Sequence, residues 1–140
     1  MRDGKHLILC IDDDPGNLEG MTALLGRWGA SVDTAISLDE ALSRVRARVP
    51  DLLLVDYRLG IAEDGFAVID LLAAEIGRRP TCALVTAENR PELARRAREL
   101  GVPVLHKPVR PAGLRALVEA AAAQRQRRSR GEVKSDTNPS

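Results

Sequence analysis

Near the middle of the chain, residues 52 to 56 read Leu52-Leu53-Leu54-Val55-Asp56. Four apolar residues follow one another without a polar residue between them, which is typical of a strand covered on both faces. The run ends abruptly in an acidic residue. Such strands belong to parallel sheets that carry helices on both sides, so this stretch predicts an α/β fold with Asp56 at the carboxyl edge of the sheet.

Similar apolar runs recur on both sides of this stretch and alternate with helical periodicity. We predict five strands, each followed by an amphipathic helix, at residues 6–11, 31–35, 52–55, 82–85 and 102–105. Asp14 and Ser37 are suited to cap the first and second helices, and Pro91 and Pro111 are suited to open the fourth and fifth. The regular alternation predicts right-handed crossovers and a doubly wound parallel sheet.

Length and composition indicate one domain. The 140 residues suffice for a single core, and the apolar pattern stops near residue 124, so we expect a domain over residues 5–123 and a polar, disordered tail over residues 124–140. A net charge of +1 gives no field that would indicate nucleic acid or a membrane surface as the partner. No apolar run approaches the ~20 residues of a membrane span, and no signal peptide is recognisable. The expected location is the cytoplasm.

Side chains with complementary chemistry follow four of the predicted strands. The first strand leads into Asp12-Asp13-Asp14, the third into Asp56, the fourth into Thr86-Ala87 and the fifth into Lys107-Pro108. The carboxyl ends of parallel strands meet at one edge, where ligands bind. Clustered carboxylates repel one another unless a cation such as Mg²⁺ joins them. The set favours phosphoryl transfer, with Asp56 as nucleophile, and Thr86 and Lys107 as partners of the phosphoryl oxygens. The small Ala87 leaves the approach open.

Four segments resemble the signature blocks of response-regulator receiver domains in two-component signalling. They read Ile8-Leu9-Cys10-Ile11-Asp12-Asp13-Asp14-Pro15, Leu53-Leu54-Val55-Asp56-Tyr57-Arg58-Leu59, Leu84-Val85-Thr86-Ala87-Glu88 and Leu105-His106-Lys107-Pro108. The sequence around Lys107 is most similar to the corresponding sequence of receivers attached to hybrid sensor histidine kinases. The resemblance spans residues 5–123 and implies a (βα)5 flavodoxin-like sheet with strand order 2-1-3-4-5.

The resemblance also implies roles for individual residues. Asp56 would be the phosphoacceptor. The Mg²⁺ site would comprise the acidic pair Asp12 and Asp13, Asp56 and the backbone carbonyl of Arg58. Thr86 would supply the switch hydroxyl beside Ala87, and Lys107, followed by a cis bond to Pro108, would bind the phosphoryl group. The donor would be a sensor histidine kinase or a phosphotransfer protein. Enzymatic activity would be limited to self-phosphorylation and self-dephosphorylation.

The chain departs from the family pattern at Val104, where receivers often carry an aromatic switch residue, and in the loop after Asp56, with Gly60 where proline is common. We therefore expect the loop after Thr86 to carry the switch alone. The predicted output surface lies on the fourth and fifth helices and comprises Arg95, Arg98, Val104 and Arg115. A protein is the expected output partner, and weak homodimerisation stays open as a further contact.

Two other functions remain as alternatives. A phosphotransferase of the haloacid-dehalogenase type would use Asp12 as nucleophile, because Asp12-Asp13-Asp14 fits an Asp-x-Asp motif. Gly16 stands where that motif needs threonine or valine, however, and Asp56 would have no role. The second alternative is a receiver-like interaction module that is never phosphorylated. This alternative is disfavoured because the chain keeps the whole set of residues needed for phosphorylation, namely the acidic pair, Asp56, Thr86 and Lys107.

Overall fold

Five parallel strands form the central sheet of the computed structural model, which describes residues 6–59 and 63–137. The strands are β1 (Leu7–Ile11), β2 (Ser31–Ala35), β3 (Leu52–Asp56), β4 (Thr81–Thr86) and β5 (Val104–His106). Their order across the sheet is β2-β1-β3-β4-β5, and every neighbouring pair is parallel. The doubly wound flavodoxin-like order is therefore confirmed. The predicted domain start at residue 5, loop residues 60–62 and tail residues 138–140 lie outside the described residues.

A helix follows each of these strands. The helices are α1 (Pro15–Arg27), α2 (Leu38–Ala47), α3 (Gly65–Ile76), α4 (Pro91–Leu100) and α5 (Pro111–Thr137). Two-residue strands, Arg58–Leu59 and Glu63–Asp64, pair antiparallel between β3 and α3. Asp14 and Ser37 cap α1 and α2 through their side chains, as predicted. No helix in the described part of the chain is both long enough and apolar enough to cross a membrane.

The sheet is buried on both faces, as the apolar run of β3 predicts. Leu53 and Val55 face a core shared with α2, α3 and α4. Leu52 and Leu54 face a second core shared with α1 and α5. Because both faces are occupied by helices, the edge at the carboxyl ends of the strands stays open for a ligand.

Helix α5 continues well beyond the predicted domain boundary. Within the described residues the polar segment that we expected to be disordered from residue 124 is part of α5, which extends to Thr137. Arg125 and Arg128 follow Ala121 by four and seven residues, so they lie on the inner face of the helix. Both contact the buried Asp51, with nitrogen–oxygen distances of 3.5 Å. Composition predicted a solvated end because the partner of these arginines lies at the distant start of β3.

Candidate functional site

Three carboxylates meet at the carboxyl edge of the sheet. Asp12 and Asp13 follow β1, and Asp56 ends the neighbouring strand β3. Carboxylate oxygens of the three residues lie within 4.8 Å of one another; Asp12 and Asp56 are buried and Asp13 is exposed. Clustered hard oxygen donors are the ligands that Mg²⁺ requires, and an exposed member leaves room for its water ligands. The residues present therefore fit the predicted ion.

Lys107 brings a positive charge to the same cluster. Its ammonium lies 3.3 Å from Oδ1 of Asp56 and 3.7 Å from Oδ2 of Asp12. The backbone N–H of Lys107 donates to the carbonyl of Thr86 at 2.8 Å, which fixes the end of β5 beside the end of β4. The predicted cis bond between Lys107 and Pro108 is present.

Asp12 is held by its own neighbours in the β1–α1 connection. The backbone N–H of Asp14 donates to its Oδ1 at 2.9 Å, and the amide of Asn17 donates to its Oδ2 at 3.1 Å. Sequence reasoning missed Asn17, although its position in the first turn of α1 points back toward the end of β1. These bonds hold the Asp12 carboxylate in place at the edge of the sheet.

The environment of Asp56 disfavours its charged form. Burial raises the pKa of the Asp56 carboxyl above its ordinary value, and the negative charge of Asp12 raises it further. The charge and hydrogen bond of Lys107 oppose this rise, and Asp13 adds to it. Asp56 is thus a partly desolvated carboxyl whose ionisation depends on nearby positive charge.

Thr86 ends β4 and is almost fully buried. Its hydroxyl oxygen accepts a hydrogen bond from the backbone N–H of Glu88 at 2.9 Å. Ala87 between them is exposed. In this arrangement the Thr86 hydroxyl closes a local turn that leads toward α4.

Glu88 joins the two loops that flank the site, and sequence reasoning did not find it. Its carboxylate pairs with the guanidinium of Arg58, on the segment after Asp56, and with Arg90 at 2.9 Å. The hydrogen bond from Arg58 lowers the pKa of the Glu88 carboxyl. The Arg58 side chain is 70% exposed, so this contact is a surface pair next to the backbone that the resemblance assigns to Mg²⁺ binding.

Gly65 permits a close approach behind Asp56. Its N–H donates to the carbonyl of Tyr57 at 2.8 Å. A Cβ atom at this position would lie 3.0 Å from the carbonyl oxygen of Asp56 and would collide with the side chain of Leu84. The start of α3 therefore packs directly against the backbone that carries Asp56.

The residues of the predicted output surface are only partly brought together. Arg95 and Arg98 are exposed on α4, and Val104 is half-buried against the core that includes α4. The guanidinium of Arg115 instead lies 5.0 Å from the ring centroid of Trp28, at the end of α1. Arg115 therefore faces α1, while Arg95 and Arg98 remain candidates for a shared surface.

A cavity of about 340 Å³ opens beside the carboxylates. It lies between α1 and the connection from β5 to α5, and Gly16, Gly20, Met21, Pro108 and Val109 are among the residues that line it. Asp56 and Lys107 also line this cavity. An incoming group can therefore reach the carboxylate from the α1 side.

The chain is similar to known proteins in sequence and in fold. Residues 8–119 match the family model of the response regulator receiver domain. The chain is 37% identical over 117 residues to the transcriptional regulatory protein ZraR of Escherichia coli O157:H7, covering 83% of this chain and 26% of that protein. It is thus similar to about a quarter of the relative's length.

Solved structures share the fold over most of the chain. The receiver domain of NtrX from Brucella abortus has a TM-score of 0.73 and 26% identity, covering 83% of this chain and 98% of that one. A putative response regulator from Chloroflexus aurantiacus has a TM-score of 0.74 and 27% identity, covering 85% and 98% respectively.

Proposed function

The chain belongs to the response regulator receiver domain family, and on that premise we propose that it accepts a phosphoryl group onto Asp56 from a histidine kinase or a phosphotransfer protein. The observation that carries the proposal is the convergence of Asp12, Asp13, Asp56 and Lys107 at one edge of the sheet. These elements are remote in sequence, and the fold brings a nucleophile, an acidic pair and a cation together beside an open cavity. The aspartyl phosphate would serve as a signal in a two-component pathway in the cytoplasm.

Asp56 is the group that reacts. One of its carboxylate oxygens attacks the phosphorus of the donor's phosphohistidine. As the new oxygen–phosphorus bond forms, the nitrogen–phosphorus bond breaks, and the imidazole leaves and takes up a proton from solvent. Burial keeps the Asp56 carboxylate poorly hydrated, so little water must be removed before it meets the phosphorus.

The cationic partners of the phosphoryl group come from two sources. Asp12, Asp13, Asp56 and the backbone carbonyl of Arg58 would hold Mg²⁺, which when bound offsets the carboxylate charges and polarises the phosphoryl oxygens. Lys107, already 3.3 Å from Asp56, would move with the new negative charge and pair with a phosphoryl oxygen. Water attack on the same phosphorus would later return Asp56, which limits enzymatic activity to the protein's own phosphorylation and dephosphorylation.

Thr86 would convert phosphorylation into a change of shape. Its hydroxyl would leave the N–H of Glu88 and donate to a phosphoryl oxygen beside Ala87. The loop that begins at Glu88 then loses a hydrogen bond and moves, and α4 follows. We propose the exposed Arg95 and Arg98 of α4 as the part of the surface that an output protein reads. Charge reversal of both residues should weaken binding of that protein in the phosphorylated state.

Fluoroberyllate binding separates this proposal from the two alternatives. Fluoroberyllate mimics a phosphoryl group on a carboxylate, and in the presence of Mg²⁺ it should bind the wild-type chain and fail to bind Asp56→Asn. Asp12→Asn should keep measurable binding, because Asp12 is not the acceptor. Loss of binding in Asp12→Asn with full binding in Asp56→Asn would favour the dehalogenase-type enzyme. No binding by the wild-type chain would favour the unphosphorylated module.

A further inference from the structure

Helix α4 is attached to the domain by few buried contacts. Its buried side chains are Leu93 and Ala97, and its N-cap, Arg90, makes no capping bond through its side chain. At the other end Arg79 donates to the carbonyls of Leu100 and Gly101 at 2.8 and 3.3 Å. A helix held by so little apolar burial belongs to the part of a fold that moves at low cost in free energy. Polar contacts can therefore decide where it rests.

Arg96 makes such a contact from the second turn of α4. Its Nη1 lies 3.0 Å from Oδ2 of Asp64, and its guanidinium carbon lies 4.4 Å from the ring centroid of Phe66. Phe66 is buried in the core that α3 and α4 share. Both partners of Arg96 thus belong to the beginning of α3, so one side chain spans the gap between the two helices.

Asp64 is fixed relative to Asp56 through the backbone. It pairs with Arg58 in the short antiparallel ladder, two residues beyond Asp56. The next residue, Gly65, donates to the carbonyl of Tyr57. Oδ1 of Asp64 caps α3 by accepting from the N–H of Ala67 at 3.0 Å. The anchor of Arg96 is therefore tied to the phosphoacceptor segment and to the start of α3.

We propose that the Arg96–Asp64 contact is a strap that holds α4 in its resting position against the segment after Asp56. This inference rests on the proposed function, because a resting position has meaning only if phosphorylation at Asp56 changes it. The Arg58–Glu88 pair joins the same segment to the loop before α4, so the segment contacts both α4 and the loop that leads to it. The position of α4 thus depends on the phosphoacceptor segment as well as on the Thr86 loop.

The strap favours the resting position of α4 over the displaced position but still allows both. The side chains of Arg96 and Asp64 are 49% and 34% exposed, and exposed ion pairs contribute little free energy, although stacking of the guanidinium on Phe66 adds to it. Breaking the contact should change the ratio of the resting and displaced positions of α4 several-fold, roughly 3- to 10-fold.

Amide hydrogen exchange of the ligand-free chain tests the strap directly. Arg96→Met removes the charge and keeps an apolar chain near Phe66, while Asp64→Asn removes the charge and keeps a good helix cap. Arg95→Met is the matched control, because Arg95 is exposed on the same helix and makes no ion pair with another described residue. We expect amide exchange over residues 91–100 to be several-fold faster in Arg96→Met and in Asp64→Asn than in the wild-type chain, and unchanged in Arg95→Met. The variant that carries both Arg96→Met and Asp64→Asn should exchange no faster than either single variant. Equal exchange rates in Arg96→Met and Arg95→Met would overturn the strap. So would an increase in the double variant equal to the product of the two single increases, because the two substitutions would then act independently.

Fluoroberyllate titration in Mg²⁺ then tests its regulatory meaning. The strap variants should bind fluoroberyllate several-fold more tightly than the wild-type chain, since their α4 is already partly released. Unchanged affinity together with faster exchange would contradict a regulatory strap. A wild-type chain that binds no fluoroberyllate would instead overturn the proposed function, and the exchange rates would still decide whether the contact holds α4.

Discussion

The ammonium of Lys107 lies 3.3 Å from Oδ1 of Asp56 and 3.7 Å from Oδ2 of Asp12. One cation therefore faces two buried carboxylates, and the carboxylate of Asp13 lies nearby. The compensation of negative charge at this edge is incomplete in the metal-free chain. Repulsion between these carboxylates lowers the stability of the folded chain. Removing one of the negative charges or adding a cation should therefore raise the free energy of unfolding.

Removing the charge of Asp56 should stabilise the metal-free protein at neutral pH. Burial, then Asp12, raise the pKa of Asp56 in the folded state, so the folded chain binds its proton more tightly than the unfolded chain does. Stability then falls as pH rises from the ordinary aspartate pKa, ~3.9, through the folded value. Asp56→Asn should raise the free energy of unfolding near pH 7 by on the order of 1 kcal/mol, and this gain should vanish below about pH 3.9.

Urea unfolding in the presence of a chelator measures this effect at both pH values. Asp70→Asn is the matched control, because Asp70 is exposed on α3 and its substitution should change stability by less than about 0.5 kcal/mol. A loss of stability in Asp56→Asn near pH 7 would show that the carboxylate is well compensated without a metal.

Magnesium should stabilise the folded chain by mass action. At a concentration 100-fold above its dissociation constant the ion should add about 2.7 kcal/mol, seen as a higher melting temperature than in chelator. Asp13→Asn should reduce this response, whereas Asp14→Asn should preserve it, because Asp14 caps α1 and asparagine is an equally good cap. Equal responses in both variants would place the ion elsewhere.

Asp51 should be needed to hold the far half of α5. Its Oδ2 accepts the N–H of Leu7 at 2.9 Å while both oxygens face the arginines of α5. Asp51→Ala leaves a buried N–H without its acceptor and should cost about 1–3 kcal/mol. Arg128→Ala should cost under about 1 kcal/mol and speed amide exchange over residues 124–130.

The control for the α5 contact is Arg130→Ala, since Arg130 is exposed on the same helix. It should leave both stability and exchange close to those of the wild-type chain. If exchange over residues 124–130 were as slow in Asp51→Ala as in the wild-type chain, this part of the helix would be stable without its contacts to Asp51.

Gly65 should tolerate no side chain, although its backbone is an ordinary helix start. A methyl group there meets the backbone of Asp56 and Tyr57 and the side chain of Leu84, so Gly65→Ala should destabilise the chain by about 1–3 kcal/mol. Gly20→Ala is the matched control, because nothing lies within 4 Å of a Cβ at that position in α1, and it should stabilise by roughly 0.5–1 kcal/mol. Denaturant unfolding should show a lower free energy of unfolding for Gly65→Ala and a higher one for Gly20→Ala, each relative to the wild-type chain. Changes of the same sign in both variants would contradict the close packing at Gly65.

The sequence predicted the sheet because the relevant physics is local. An uninterrupted apolar run such as Leu52 to Val55 has one common solution, a strand with helices on both faces. The cluster of Asp12, Asp13, Asp56 and Lys107 was predictable for a related reason, since each residue lies at the end of a strand or just after it and parallel strands end at one edge.

Contacts between charged side chains of remote elements could not be predicted in the same way. Arg96 and Asp64 are charged surface residues in sequence, and only the spacing of α3 and α4 makes them partners. Arg128 lies in a polar segment typical of disorder, and its place on the inner face of α5 becomes meaningful through Asp51, 77 positions earlier. The contact of Arg115 with Trp28 could not be predicted either, because helical periodicity gives the face on which a residue lies and not the element that this face contacts.

Mass spectrometry can identify the residue of this chain that accepts a phosphoryl group. The chain is incubated with acetyl phosphate and Mg²⁺, and the mass of the intact protein and of its peptides is measured. We expect one added phosphoryl group on the peptide that contains Asp56, none in Asp56→Asn, and none when a chelator replaces the ion. Undiminished labelling of Asp56→Asn, or a phosphoryl group located on Asp12, would contradict this expectation.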